Sequence, residues 1–346
     1  MRPHQSMLIR FLLYFSIKVH RIFNRKFYYF RQLGGVYFIV NRNYDNTLKD
    51  YYEYVEKLLS SPIHKISRKC LVLLDCNGFA WLKLYLPVLK IALQVEHTLV
   101  KSGARDSNDA IAGHVPILGS PENYLVRITN LLKLQSAHLV IEYSQVNQCN
   151  IKRSPDFAEY SSKSLCISPA LYPLDEKVFS LAHVRNVDTI TLFGNPDEPR
   201  RKKFLRSLES KSVKSQNINN IYQGIENFYR DTKILINIRQ TDHHDTLEEL
   251  RILPALRCGV LVISELAPLI DKVAYSKYII WGELDELPQL ILEVQNNYQK
   301  WHSMIFNGSE FMTRMLRISL RNELIAQRAT NILNKSLPLC ANQEVM

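Results

Sequence analysis

The chain has 346 residues, 46% apolar and 22% charged, which is enough to build two ordinary domains and argues against disorder. Its six cysteines, Cys70, Cys76, Cys149, Cys166, Cys258 and Cys340, are scattered with no repeated C-x-x-C pair. Neither a disulfide framework nor a zinc site is expected, and a reducing, cytoplasmic compartment is. The net charge of +11 is concentrated at one end: eight basic residues precede Asp45, the first acid, leaving +3 for the remaining 302 residues. That distribution disfavours a nucleic-acid-binding body and marks residues 1–45 as a basic amino-terminal arm.

Around the apolar residues from Leu8 to Phe23 the longest charge-free run, Phe11 to Ile17, is seven residues, far short of the roughly 20 that span a bilayer. No cleavable leader pattern accompanies it. Residues 1–31 interleave basic side chains with Leu and aromatics, which suits either a helix on an anionic membrane surface or one that packs on the protein with its basic face in water. Beyond the arm, Asn46 to Ser60 has helical spacing and Lys69 to Asp75 is an apolar run ending in an acid. Val88 to Val95 ends at Glu96 and His97, Lys101 to Ser120 reads as a long loop, and Asn123 to Gln135 as a helix. His138 to Ile141 and Cys166 to Ile167 complete the strands of a first domain over residues 46–170. Cys166 and Cys258, each in an apolar stretch, read as buried small hydrophobes rather than nucleophiles.

The pattern lapses between Pro169 and Asn186 and restarts as a second domain over 185–300. Its strands are Asp188 to Phe193, a short one near Ile218 to Tyr222, Lys233 to Ile238, Val260 to Ser264 and Tyr278 to Trp281. Helices are expected at Glu198 to Ser210, Ile225 to Tyr229, Thr246 to Arg257 and Leu284 to Gln299. Residues 301–346 form a helical tail. Strands alternating with helices predict an α/β fold with parallel sheets covered on both faces. Ligands then bind beyond the carboxyl ends of the strands.

Two strand ends in the second half carry dense polar chemistry. One is Gly194-Asn195 followed by Arg200, Arg201, Lys202 and Lys203, where a close backbone approach, a helix amino terminus and forked guanidiniums suit phosphate. A merely solvated basic face fits those four residues equally well. The other runs from Arg239 through His243, His244 and Asp245 to Glu248 and Glu249. Adjacent histidines diverge, so no metal site is expected there; Asp245 suits a helix cap, with Glu248 three residues on.

Residues 231–265, DTKILINIRQTDHHDTLEELRILPALRCGVLVISE, together with LFGNPDEPRRKKFLRSL at 192–208, resemble the donor-binding core of GT-B fold glycosyltransferases. The likeness is to the group with a CgeB-like or glycosyltransferase group 1 carboxy-terminal domain, and it covers about 110 residues. It implies two Rossmann-like domains facing a cleft and a nucleotide sugar as co-substrate, with no cofactor and no metal. The acceptor would be a glycan, a lipid or a protein. By position, Arg201 and Lys202 would approach the diphosphate and Asn237 and Arg239 would line the cleft, together with Gly194, Asn195 and His244. Glu248, Glu249 and Arg251 would face the donor, Gly259 would allow close helix–strand packing, and Glu265 would sit near the sugar or ribose. Many members carry a ribose-binding glutamate in Glu-Ala-x-x-Cys-Gly where this chain has Pro254 to Gly259, which leaves Glu248 or Glu249 for the ribose. Asp75, Glu96 and His97, at strand ends of the first domain, are the candidates for acceptor binding or general-base work. Two rival functions share these features: a nucleotide-sugar epimerase, and a non-catalytic sugar- or membrane-binding protein.

Overall fold

Gly34 and Gly35, both at positive φ (54° and 87°), make the two-residue turn of a hairpin joining β1 (Tyr28–Leu33) to β2 (Val36–Asn41). Only glycine adopts both conformations without strain, and the turn's twist matches that of the strands. The computed structural model describes residues 28–67, 70–76, 88–95, 99–101, 112–116, 123–126, 128, 131–153, 157–176, 179, 184–218, 222–242 and 245–336. Residues 1–27, most of the expected arm, lie outside them. The hairpin corrects the arm's far boundary: residues 28–41 are not an appendage but extend the first sheet.

That sheet has the order β1-β2-β3-β4-β8-β9, with β3 (Leu71–Leu74), β4 (Val88–Gln94), β8 (Leu139–Glu142) and β9 (Ser164–Cys166). From β2 onward every pairing is parallel. The strands are near-continuous apolar runs because helices cover both faces. Helix α1 (Arg42–Ile66), longer than the spacing predicts and kinked at Leu48, buries Tyr52, Val55 and Leu59 in the same cluster as Phe38 and Val72.

A small antiparallel sheet, ordered β5-β7-β6, replaces part of the expected loop and helix. It comprises β5 (Leu99–Lys101), β6 (Ala112–Pro116) and β7 (Asn123–Val126). Asn123 to Val126 was expected to open a helix. It pairs with two neighbours instead, a tertiary effect that local periodicity does not report. The helix is confined to α2 (Leu131–Ser136). Next follow α3 (Gln145–Arg153) and α4 (Ala158–Ser162).

The second sheet is wholly parallel, ordered β11-β10-β12-β13-β14. Its strands are β10 (Val187–Thr191), β11 (Gln216–Asn217), β12 (Thr232–Asn237), β13 (Leu261–Glu265) and β14 (Ile279–Gly282). Its helices are α5 (Pro199–Ser210), α6 (Glu226–Asp231), α7 (Glu249–Arg257), α8 (Leu287–Asn296) and α9 (Tyr298–Phe306). Gly259, at φ 74°, ends α7 in the left-handed region, and a Cβ there would lie 2.6 Å from Arg185 Nη2. It is thus a helix-ending residue as well as one of close packing. Cys166 and Cys258 are buried.

The two Rossmann-like domains are joined by more than the chain between them. Helix α10 (Ser309–Ser336) starts on the second core, through Phe311, Met315 and Ile318. It ends on the first, through Ala326, Ala329 and Leu333. Midway, Asn322 Nδ2 donates to Ser168 O (2.7 Å) and its Oδ1 accepts from Ser168 N (3.1 Å). At the sheet edges, Asp245 N donates to Leu99 O (3.1 Å) and Leu99 N to Thr246 Oγ1 (3.0 Å). The segments that follow β4 and β12 in the chain therefore meet between the domains. Among the described residues no helix is long and apolar enough to cross a membrane.

Candidate functional site: a crevice with two buried guanidiniums

Pro199 at the first position of α5 places Arg200 and Arg201 in its first turn, where proline is well tolerated. The helix buries Arg201, Phe204 and Leu208, positions i, i+3 and i+7 on one face. Arg201 is therefore the inward member of the basic run. Its guanidinium lies 4.5 Å from the centre of the Phe193 ring, a cation–π contact. Lys202 points outward and pairs with Asp197 (3.3 Å), while Gly194 and Asn195 are exposed at the turn. These three do not line the crevice described next.

That crevice, about 360 Å³ including its open mouth, lies beyond the carboxyl ends of β12 and β13. Of the residues singled out by sequence, Arg201, Asn237, Arg239, Glu248, Arg251 and Glu265 line it. Ile238, Gln240, Thr246, Leu247 and Ala267 complete the wall. Asn237 Nδ2 donates to Ser264 Oγ (3.0 Å), whereas its buried Oδ1 has no partner among the described residues.

Two guanidiniums stand at the inner end. Arg251 is 7% exposed; its Nε donates to Tyr222 Oη (2.7 Å), and its guanidinium also stacks over the Tyr222 ring. Arg201 is 4% exposed, and its buried Nε has no hydrogen-bond partner among the described residues. No described carboxylate forms an ion pair with either. Burial, and then repulsion from Arg251, lower the Arg201 pKa to about 10, so it stays charged near neutrality. Burial pushes the Tyr222 phenol up to about 12, which keeps it neutral beside Arg251. Glu248, which lines the same crevice, is the one acid there whose charge is felt by both cations, and it forms an ion pair with neither, so two buried guanidiniums share a single nearby carboxylate.

The crevice mouth has the opposite character. Glu265 holds Arg239 through Nε (2.9 Å) and Nη2 (2.5 Å) and holds Arg200 through Nη1 (2.9 Å). Arg200 Nε also meets Asp242 (2.5 Å), and Arg239 Nη1 contacts Asp245. Burial raises the Glu265 pKa, but the two guanidiniums together outweigh that and hold it below the usual range. Glu265 is thus the anchor of an arginine pair rather than a group turned to a ribose, and Asp245 is an ion-pair partner rather than a helix cap. The N-cap position of α7 is held by Glu248, whose side chain makes no capping hydrogen bond. Changing Glu265 to Gln is expected to cost about 3 kcal/mol of stability, read by urea unfolding, because it strands two partly buried cations.

Two expected site residues lie elsewhere. Glu249, only two positions from Arg251, turns into the domain interface, where it accepts from Ser144 Oγ (2.7 Å) and Tyr275 Oη (2.8 Å). Asp75, at φ 53°, is fully occupied: it takes hydrogen bonds from Tyr52 and from Leu93 N (3.0 Å) and pairs with Lys133 (2.5 Å). It ties α1, α2 and β4 together and is withdrawn as a candidate base. Glu96, His97, His243 and His244 lie outside the described residues. Among the described residues no three His, Cys, Asp or Glu side chains converge as metal ligands do.

No family model matches the chain. An uncharacterized protein of Acanthamoeba polyphaga mimivirus is 29% identical over 118 residues, which make up 33% of this chain and 42% of that protein. The match therefore spans less than half the length of that relative. Among solved structures, an alpha1,3-fucosyltransferase with GDP-fucose aligns over 73% of this chain and 77% of its own at 12% identity, with a TM-score of 0.32.

Proposed function

We propose that the chain is a glycosyltransferase that moves a sugar from a nucleotide-sugar donor to an acceptor hydroxyl of a glycan, lipid or protein. The observation that carries this reading is the buried Arg201, without an ion-pair partner among the described residues, beside Arg251 in the crevice of the second domain. A diphosphate brings two negative charges and several acceptor oxygens, which is what that pair lacks. In the transfer, the bond from the anomeric carbon to the phosphate oxygen breaks and its electron pair leaves with the nucleoside diphosphate. The acceptor oxygen forms the new bond and gives up its proton to a base. Arg201 and Arg251 meet the charge that grows on the departing phosphate, so they act most strongly as the bond breaks. The Glu265 network holds Arg239 at the mouth, and Asn237 Oδ1 accepts from a donor hydroxyl or base N–H. Glu96 and His97, which follow β4, are the candidates to take the acceptor proton.

Charge neutralisation by these arginines calls for no divalent ion. A thermal-shift series with nucleoside diphosphates and their sugars, with and without a chelator, tests the reading. A matching nucleotide at about 100 times its Kd adds about 2.7 kcal/mol of stability, and chelation leaves the shift unchanged. A shift that vanishes with chelator would contradict the metal-independent part. Product analysis with donor, with and without acceptor, separates transfer from epimerisation: sugar should appear on the acceptor, with no epimer of the donor.

A further inference from the structure

The outer face of α10 has no role in the crevice. While its inner seam clamps both domains, Leu316, Leu320 and Leu324 on the opposite side are 51%, 57% and 67% exposed. Steps of four residues stack these leucines into a ridge about 12 Å long. Arg317, Arg321, Arg328 and Lys335, all exposed, run along one flank of the ridge. Arg321 reaches back to Gln145, but Arg317, Arg328 and Lys335 form no ion pair among the described residues. One exposed acid, Glu323, lies on the other flank.

A solvated helix face has no use for three aligned leucines, and a leucine ridge edged by unpaired cations matches one environment in particular. At the boundary of an anionic bilayer, leucines enter the acyl region while long basic side chains reach up to the lipid phosphates. A second copy of the chain would bring a further basic row and no matching acidic one. The helix is already held along its whole inner side, so lying on a surface costs it no folding entropy. We propose that α10 docks on an anionic lipid surface, with Leu316, Leu320 and Leu324 in the interface and Arg317, Arg328 and Lys335 on lipid phosphates. The residues of this face are distinct from residues 1–31 in the chain, and the proposal does not depend on what the crevice binds.

The test is sedimentation of the full chain with vesicles of phosphatidylcholine alone and with about 30% phosphatidylserine. Wild type should bind the anionic vesicles preferentially. L316S/L320S/L324S should weaken that binding by at least about fivefold, with unchanged circular dichroism and melting temperature. R317Q/R328Q/K335Q should abolish most of the preference for phosphatidylserine. Wild-type binding by the leucine variant, or no binding by the wild type, would overturn the proposal. So would light scattering that shows a wild-type dimer converted to monomer by the leucine changes without any vesicle binding.

Discussion

Replacing Arg201 by methionine is expected to raise the melting temperature of the free protein while weakening nucleoside diphosphate binding by about 10- to 100-fold. The two signs follow from one fact. A buried cation whose Nε has no partner among the described residues, and which a second cation repels, costs the fold more than it returns. An apolar side chain of similar length fills the same space beside Phe193 without that cost. Such replacements gain roughly 1 kcal/mol or more, about 2–4 °C in a chain of this size. Binding moves the other way because a charge-assisted bond to phosphate is lost. Were Arg201 simply structural, R201M would lower the melting temperature and leave nucleotide affinity alone. Differential scanning fluorimetry and titration calorimetry on the same sample distinguish the two.

Glu249 is expected to make stability fall with rising pH, through the domain interface. Its carboxyl, buried against Ser144 and Tyr275, titrates at about 7 rather than 4.5, burial being the main cause. Between those values the unfolded chain releases a proton that the folded chain keeps. Stability is therefore full below about pH 4.5 and declines as pH rises through 7. Glu142, on the first domain and also fully buried, is raised for the same chief reason and feels the Glu249 charge. It adds a contribution of the same sign. E249Q removes the ionisation, so at pH 8 the variant should be more stable than wild type by up to about 3 kcal/mol, with little difference at pH 4.5. Urea denaturation at the two pH values measures this. Parallel pH profiles for wild type and variant would mean that the interface keeps its charge at no cost.

How far the fold and the site could be read from sequence depended on whether a segment has one buried face. Most parallel strands of the two large sheets are apolar runs ended by polar residues, so their places along the chain follow directly, whereas the order in which they pair does not. Arg239 stands out as a polar residue just past a strand end for that reason, whereas Asn237 and Glu265 were assigned through the resemblance to the donor-binding core. Arg201 was assigned together with Lys202 through the same resemblance, and the structure separates them: α5 turns Arg201 inward with Phe204 and Leu208 and leaves Lys202 exposed. The placement of Glu249 was not legible, because every residue of α7 is buried and a helix with no solvent face has no periodicity to orient it. Its neighbour Arg251 faces the crevice while Glu249 faces the other domain, a distinction made only by tertiary packing. The β1–β2 hairpin was hidden differently. Basic charge in the first 44 residues suggested a single arm, although Gly34-Gly35 between two alternating apolar runs is a hairpin signal in its own right. Tyr222 lies far from any motif, and nothing local marks it as the partner of Arg251.

The most direct test of the donor site is a crystal structure of the chain soaked with a nucleoside diphosphate. The diphosphate should lie in the crevice between Arg201 and Arg251, within hydrogen-bond distance of both guanidiniums, with Tyr222 Oη displaced or sharing Arg251. A diphosphate bound at the edge of the first sheet, or an Arg201 that stays against Phe193 with no phosphate contact while nucleotide occupies the crystal, would contradict the assignment.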